Sequence, residues 1–74
     1  MMIGSFTLDS TTINVETDYD NISGLVYQFM AGTGENRKQI AVTNYRGIDV
    51  TDNRFSKEDL QRGLNVVRRQ AARR

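Results

Sequence analysis

Phe55-Ser56-Lys57-Glu58-Asp59-Leu60 marks the start of a helix, and the rest of the chain must supply what that helix packs against. Ser56 suits the N-cap position, its hydroxyl accepting a hydrogen bond from the Asp59 backbone N–H. Asp59 stands where Glu or Gln completes a capping box, though it is shorter and reaches back less well. Phe55 and Leu60 occupy the N′ and N4 positions of a hydrophobic staple. Glu58 and Asp59 in the first turn, and Arg68, Arg69, Arg73 and Arg74 toward the end, match the helix dipole. Leu60, Leu64, Val67 and Ala71 repeat at helical spacing as one apolar stripe. The pattern predicts an amphipathic helix over 56–72 that needs a partner surface.

The residues before it read as that surface. Phe6 and Leu8 alternate with polar residues, as do Ile13 and Val15, and Asp9-Ser10-Thr11-Thr12 between them is rich in turn formers. A hairpin with Leu8 facing Ile13 and Phe6 facing Val15 puts all four on one face. Glu16-Thr17-Asp18-Tyr19-Asp20-Asn21 reads as a loop. Ile22 to Ala31 is the most apolar run, and its Val, Tyr and Phe favour a strand over a helix. Leu25, Tyr27, Phe29 and Ala31 fall on one face, Val26 and Met30 on the other, the pattern of a central strand. Gly32 to Arg37 is a flexible turn. Lys38 to Tyr45 returns, with Phe29 opposite Ile40 and Tyr27 opposite Val42. After Arg46-Gly47, Ile48 and Val50 either continue a bent strand or fold back as a short one. The predicted fold is α+β: one domain over 1–74, an antiparallel sheet of four to five strands in two hairpins over 3–51, and one C-terminal helix on one face.

Seventy-four residues bury a modest share of their surface, so stability is marginal or assisted by a partner. The chain has no Cys, His, Trp or Pro. Disulfides and thiolate zinc sites are excluded, and the turns rest on Gly, Asn, Asp and Ser. No apolar run approaches the roughly 20 residues that span a bilayer. Met1-Met2-Ile3-Gly4-Ser5 has neither the basic region nor the apolar core of a secretory signal, so a cytoplasmic location is expected. The net charge of +1 hides an asymmetry: residues 1–35 carry −5 and residues 36–74 carry +6. Such a chain pairs its halves, presents two surfaces of opposite sign, or simply solvates both.

The catalytic inventory is thin. Without His or Cys, a metal site would rest on carboxylates alone. Asp18-Tyr19-Asp20-Asn21-Ile22-Ser23-Gly24 lacks the glycine at the sixth loop position and the carboxylate at the twelfth that an EF-hand needs. The serines and threonines have no His base, and Ser56 is committed to capping. Gly32-Thr33-Gly34 lacks the third glycine of a dinucleotide fingerprint and the Gly-Lys-Ser/Thr of a P-loop. The sequence therefore predicts no enzyme, cofactor or metal.

The basic C-terminus carries the strongest binding signal. On a helical projection Arg62, Arg69 and Arg73 share the face opposite Leu60 and Leu64, with Arg68 and Arg74 beside them. Arg37 and Lys38, with Arg46 and Arg54, extend this basic face if their loops lie nearby, and guanidinium forks suit phosphates and carboxylates. Glu16, Asp18 and Asp20 form the candidate acidic face. Tyr19, Tyr27 and Tyr45 are candidates for stacking on bases. No motif assigns a family. The order of strands followed by one helix is similar, in outline only, to the small three-stranded DNA-binding domains of integrases. The function expected is a non-enzymatic interaction module, a regulator or inhibitor docking on a larger protein or nucleoprotein complex, as small accessory proteins of phages and mobile elements do. The alternatives are nucleic-acid binding by the basic helix, and a homodimer joined at a strand edge or at Val66.

Overall fold

A computed structural model describes residues 1–73. It shows five antiparallel strands, β1 (Met2–Leu8), β2 (Thr11–Asp20), β3 (Gly24–Ala31), β4 (Lys38–Asn44) and β5 (Gly47–Val50), followed by α1 (Lys57–Ala72). The strands form one sheet in chain order, β1-β2-β3-β4-β5.

The β1–β2 turn is tighter than its composition suggests. Asp9 and Ser10 are both left-handed, with φ of 47° and 67°, as a two-residue type I′ hairpin turn requires. Leu8 therefore pairs with Thr11, Phe6 with Ile13 and Gly4 with Val15. This register differs by two residues from the expected one, and an even shift leaves every side chain on its expected face.

The segment from Glu16 to Asp20, expected to be a loop, belongs to β2. It pairs with β3 down to Asp20 opposite Gly24, and Thr17 bonds the Met1 backbone in both directions at 2.8 and 3.2 Å. Bonding on both sides at Glu16 and Thr17, and to β3 alone from Asp18 to Asp20, outweighs its polarity. The clue was the alternation of acids with Thr17 and Tyr19, which is a strand period.

β3 is the central strand, with Val26, Phe29, Met30 and Ala31 buried. Its register with β4 differs from the expected one: Phe29 faces Ala41 and Gln28 faces Val42, with Ile40 as an extra residue. This bulge turns Ile40 and Ala41 both into the core, each fully buried, and sends Val42 to the opposite face. The Ile40 carbonyl accepts bonds from Thr51 and Asp52 at 2.9 and 3.1 Å, anchoring the link to the helix. The open alternative at Gly47 resolves as a fold-back. Asn44 Oδ1 accepts from the Arg46 N–H at 2.8 Å, and Ile48 and Val50 return opposite Thr43 and Ala41.

Ser56 caps α1 as expected, accepting from the Asp59 N–H at 3.1 Å. The Asp59 carboxylate goes to Arg62 instead of back to the cap. Leu60, Gly63, Leu64 and Val67 are buried against Ile13, Val15, Phe29, Ile40 and Ile48, and Phe55 packs on the same core. The helix lies against β1 and β5, the two edge strands, and side chains from β2 to β4 fill the space between. Gly63 sits on the Phe6 ring and Val67 on Gly4, so two glycines let helix and edge strand close together.

Candidate functional site

The pleat of β2 sorts its side chains by chemistry. Glu16, Asp18 and Asp20 point away from the helix, while Thr17 and Tyr19 continue the helix-side row of Ile13 and Val15. The acids are engaged locally. Glu16 is ion-paired with Arg37. Asp18 accepts from the Tyr19 N–H at 2.8 Å and from Gln28 Nε2 at 3.0 Å. Asp20 accepts from the Ile22 N–H at 2.7 Å, holding the β2–β3 turn. Among the described residues, no three His, Cys, Asp or Glu side chains gather as metal ligands.

The basic candidates separate into three places. Arg37 is tied to Glu16, which joins one residue of the candidate basic face to one of the candidate acidic face. Lys38 lies 3.6 Å from Asp52, whose carboxylate also takes a two-pronged contact from Arg54 at 2.7 to 3.2 Å. Hydrogen bonds from the Arg54 side chain and backbone hold the Asp52 carboxyl well below the usual carboxylate range and raise the Arg54 guanidinium in turn. On the helix, Arg62 pairs with Asp59, and Arg73 is the C-cap residue. Arg68 lies on the other flank, its guanidinium 5.8 Å from the Tyr27 ring centre. Arg68 and Arg69 line a shallow cleft with Asn65 and Ala72. Arg74 lies outside the described residues.

A surface the sequence reading did not assemble stands at the end of the sheet that carries the β2–β3 and β4–β5 turns. Tyr19 pairs with Leu25 across β2 and β3, Ile22 forms the intervening turn, and the Tyr45 N–H donates to Ser23 Oγ at 3.3 Å. That bond sets Tyr45 beside the neighbouring hairpin. These four side chains are 78%, 53%, 84% and 70% exposed for Tyr19, Leu25, Ile22 and Tyr45, so the fold does not use them as core. Ile22 and Leu25 were expected in the apolar strand, whereas Ile22 lies in the turn before it and Leu25, at the start of β3, stays half exposed. Tyr27 lies one pleat behind Leu25 under Arg68. Arg46 covers Tyr45, 5.3 Å from its ring centre, with Nε donating to the phenol oxygen at 3.1 Å. Cations over two rings, each contributing ~0.5–1 kcal/mol at exposed sites, hold the aromatic groups in place.

None of the comparisons with known proteins, whether family models, curated sequences or solved structures, returned a match. Among the described residues, no helix is long and apolar enough to cross a membrane.

Proposed function

We propose that this chain is a non-enzymatic interaction module that docks on a larger protein or nucleoprotein complex through the turn-bearing end of its sheet. One observation carries the reading: Tyr19, Ile22, Leu25 and Tyr45 are exposed together at that end. Scattered apolar side chains on a surface need no explanation, but four at one end of a sheet, with Arg46 and Arg68 beside its tyrosines, have the composition of an interface core and rim. Rigid strand ends and Arg-braced tyrosines lose little freedom on binding, which favours affinity from a small surface. A regulator or inhibitor working by occupancy needs no catalytic group.

The test is an Ile22→Asp/Leu25→Ser variant. Both positions are largely exposed, so the variant folds with little change in stability. Wild-type protein coupled to a matrix should retain a partner from cell extracts that the variant loses by about tenfold or more, the scale of a hot-spot truncation. Retention of the same species at the same level by both proteins refutes this docking surface. Loss instead in Arg62/Arg73→Glu would move the site to the outer helix face.

A further inference from the structure

We infer that the turn-bearing end of the sheet takes single-stranded nucleic acid, an inference that rests on this end being the docking surface and names what it meets. Three observations converge on it. All three tyrosines of the chain are here. Tyr19 pairs with Leu25, Tyr27 lies one pleat behind it, and the Tyr45 backbone is bonded to Ser23 at the start of the same strand. Tyrosine rings are sequence-tolerant platforms for unstacked bases.

Cations surround these rings. Arg46 and Arg68 lie over two of them, and Arg69 and Asn65 complete the cleft beside Arg68. Lys57 reaches the turn at Gly47. Among the described residues, Arg46, Lys57, Arg68 and Arg69 have no carboxylate within ion-pair distance, whereas Arg37, Lys38, Arg54 and Arg62 do. A strand whose bases lie on the tyrosines would bring its phosphates to these guanidiniums, with their planar donor forks.

The pleat keeps acids away. Glu16, Asp18 and Asp20 of β2, and Asp49 of β5 opposite Val42, face the other side of the sheet, with Asp20 bonded to the Ile22 N–H at the turn. A phosphate chain on the tyrosine side thus meets positive charge without facing those carboxylates. A duplex would offer phosphates but hide its base faces in the stack. A purely apolar protein surface would cover Ile22 and Leu25 and leave the four cations without counter-charge. A single strand satisfies both the rings and the guanidiniums.

The chain has no Trp, so its intrinsic fluorescence comes from these tyrosines and reports on the site directly. Titration with unlabelled oligothymidine and oligouridine at about 50 mM salt should quench it, with weaker binding at about 200 mM. Anisotropy of the labelled oligonucleotides then compares variants. Tyr19→Leu/Tyr45→Leu should weaken binding about tenfold per stack lost, and Arg68→Gln/Arg69→Gln should lower the salt slope by about 1.4, roughly 0.7 for each phosphate contact on a single strand. Absence of single-strand binding at low salt overturns the inference. So does a duplex of equal length bound as tightly, with Tyr19→Leu/Tyr45→Leu unchanged, since the backbone alone is then recognised. If no strand binds while Ile22→Asp/Leu25→Ser still loses a protein partner, this inference fails and the docking surface stands.

Discussion

Gly63→Ala separates a helix merely resting on the sheet from one seated as close as the structure shows. On an open helix surface the change would stabilise by ~1 kcal/mol, because Ala is the better helix former. Here a methyl group on Gly63 would stand 2.5 Å from Cζ of Phe6 and closer still to Cδ2 and Cε2. That is an ångström or more inside the roughly 3.5–4.0 Å optimum for carbon pairs. Relief requires the Phe6 ring to turn, giving up its edge-on packing against Phe29 at 6.2 Å and 81°, or α1 to lift from β1. Lifting would separate Val67 from Gly4, where a Cβ would already stand 2.9 Å from Val67 Cγ1. Overpacking of this kind costs ~1–3 kcal/mol, and a rigid ring puts it toward the upper end. Less the propensity gain, the net destabilisation is ~1–2 kcal/mol, which for a chain of this length lowers Tm by roughly 5–15 °C. Thermal and urea melts followed by circular dichroism measure it. The double variant Phe6→Leu/Gly63→Ala should recover much of the loss, with a coupling of ~1 kcal/mol or more. A rise in Tm for Gly63→Ala would refute the close seating of helix on edge strand.

Three further outcomes follow from local geometry. Ser10→Gly relieves an L-residue held at φ 67° and should raise stability by ~0.5–1 kcal/mol after the extra freedom of the unfolded chain is counted; a lower Tm would contradict the type I′ turn. Ser56→Ala removes the helix cap and should cost ~1 kcal/mol in urea titration; an unchanged midpoint would show that the cap contributes nothing. Asp52 has its folded-state pKa depressed below 3.8 by its bonds to Arg54, so its contribution is present above that value and is lost as the pH falls toward the folded pKa. The stability gap between wild type and Asp52→Asn should therefore be widest near neutrality and close as the pH drops below 3.8; a gap independent of pH would mean the Asp52–Arg54 contact is not made in solution.

Much of the fold was legible in the chain because its signals are local. A cap, a staple and a stripe act within a few helical turns, and they placed α1 and named Leu60, Leu64 and Val67 as its buried face. Period-two alternation put Ile13 with Val15 on one face and Phe29 with Ala31 on another strand's face, and identified β3 as central; the β2–β3 pairing joins the two sets on one side. Where composition competed with periodicity, composition misled: three acids made Glu16 to Asp20 look like a loop although Thr17 and Tyr19 kept the strand period.

By itself, then, the sequence determined the fold class, the helix with its cap, and the core face of β1, of the first half of β2 and of β3, but not that of β4, where Val42 turned out to face away from the core. Those depend on backbone sterics and on side-chain spacing along one segment. Tertiary structure alone decided the bulge at Ile40, the ion pair between Arg37 and Glu16 across 21 residues, and the gathering of Tyr19, Leu25 and Tyr45 at one end. Each is a matter of which strands lie side by side and in what register. Register is set by the summed packing of the whole core, and no segment read alone carries that sum.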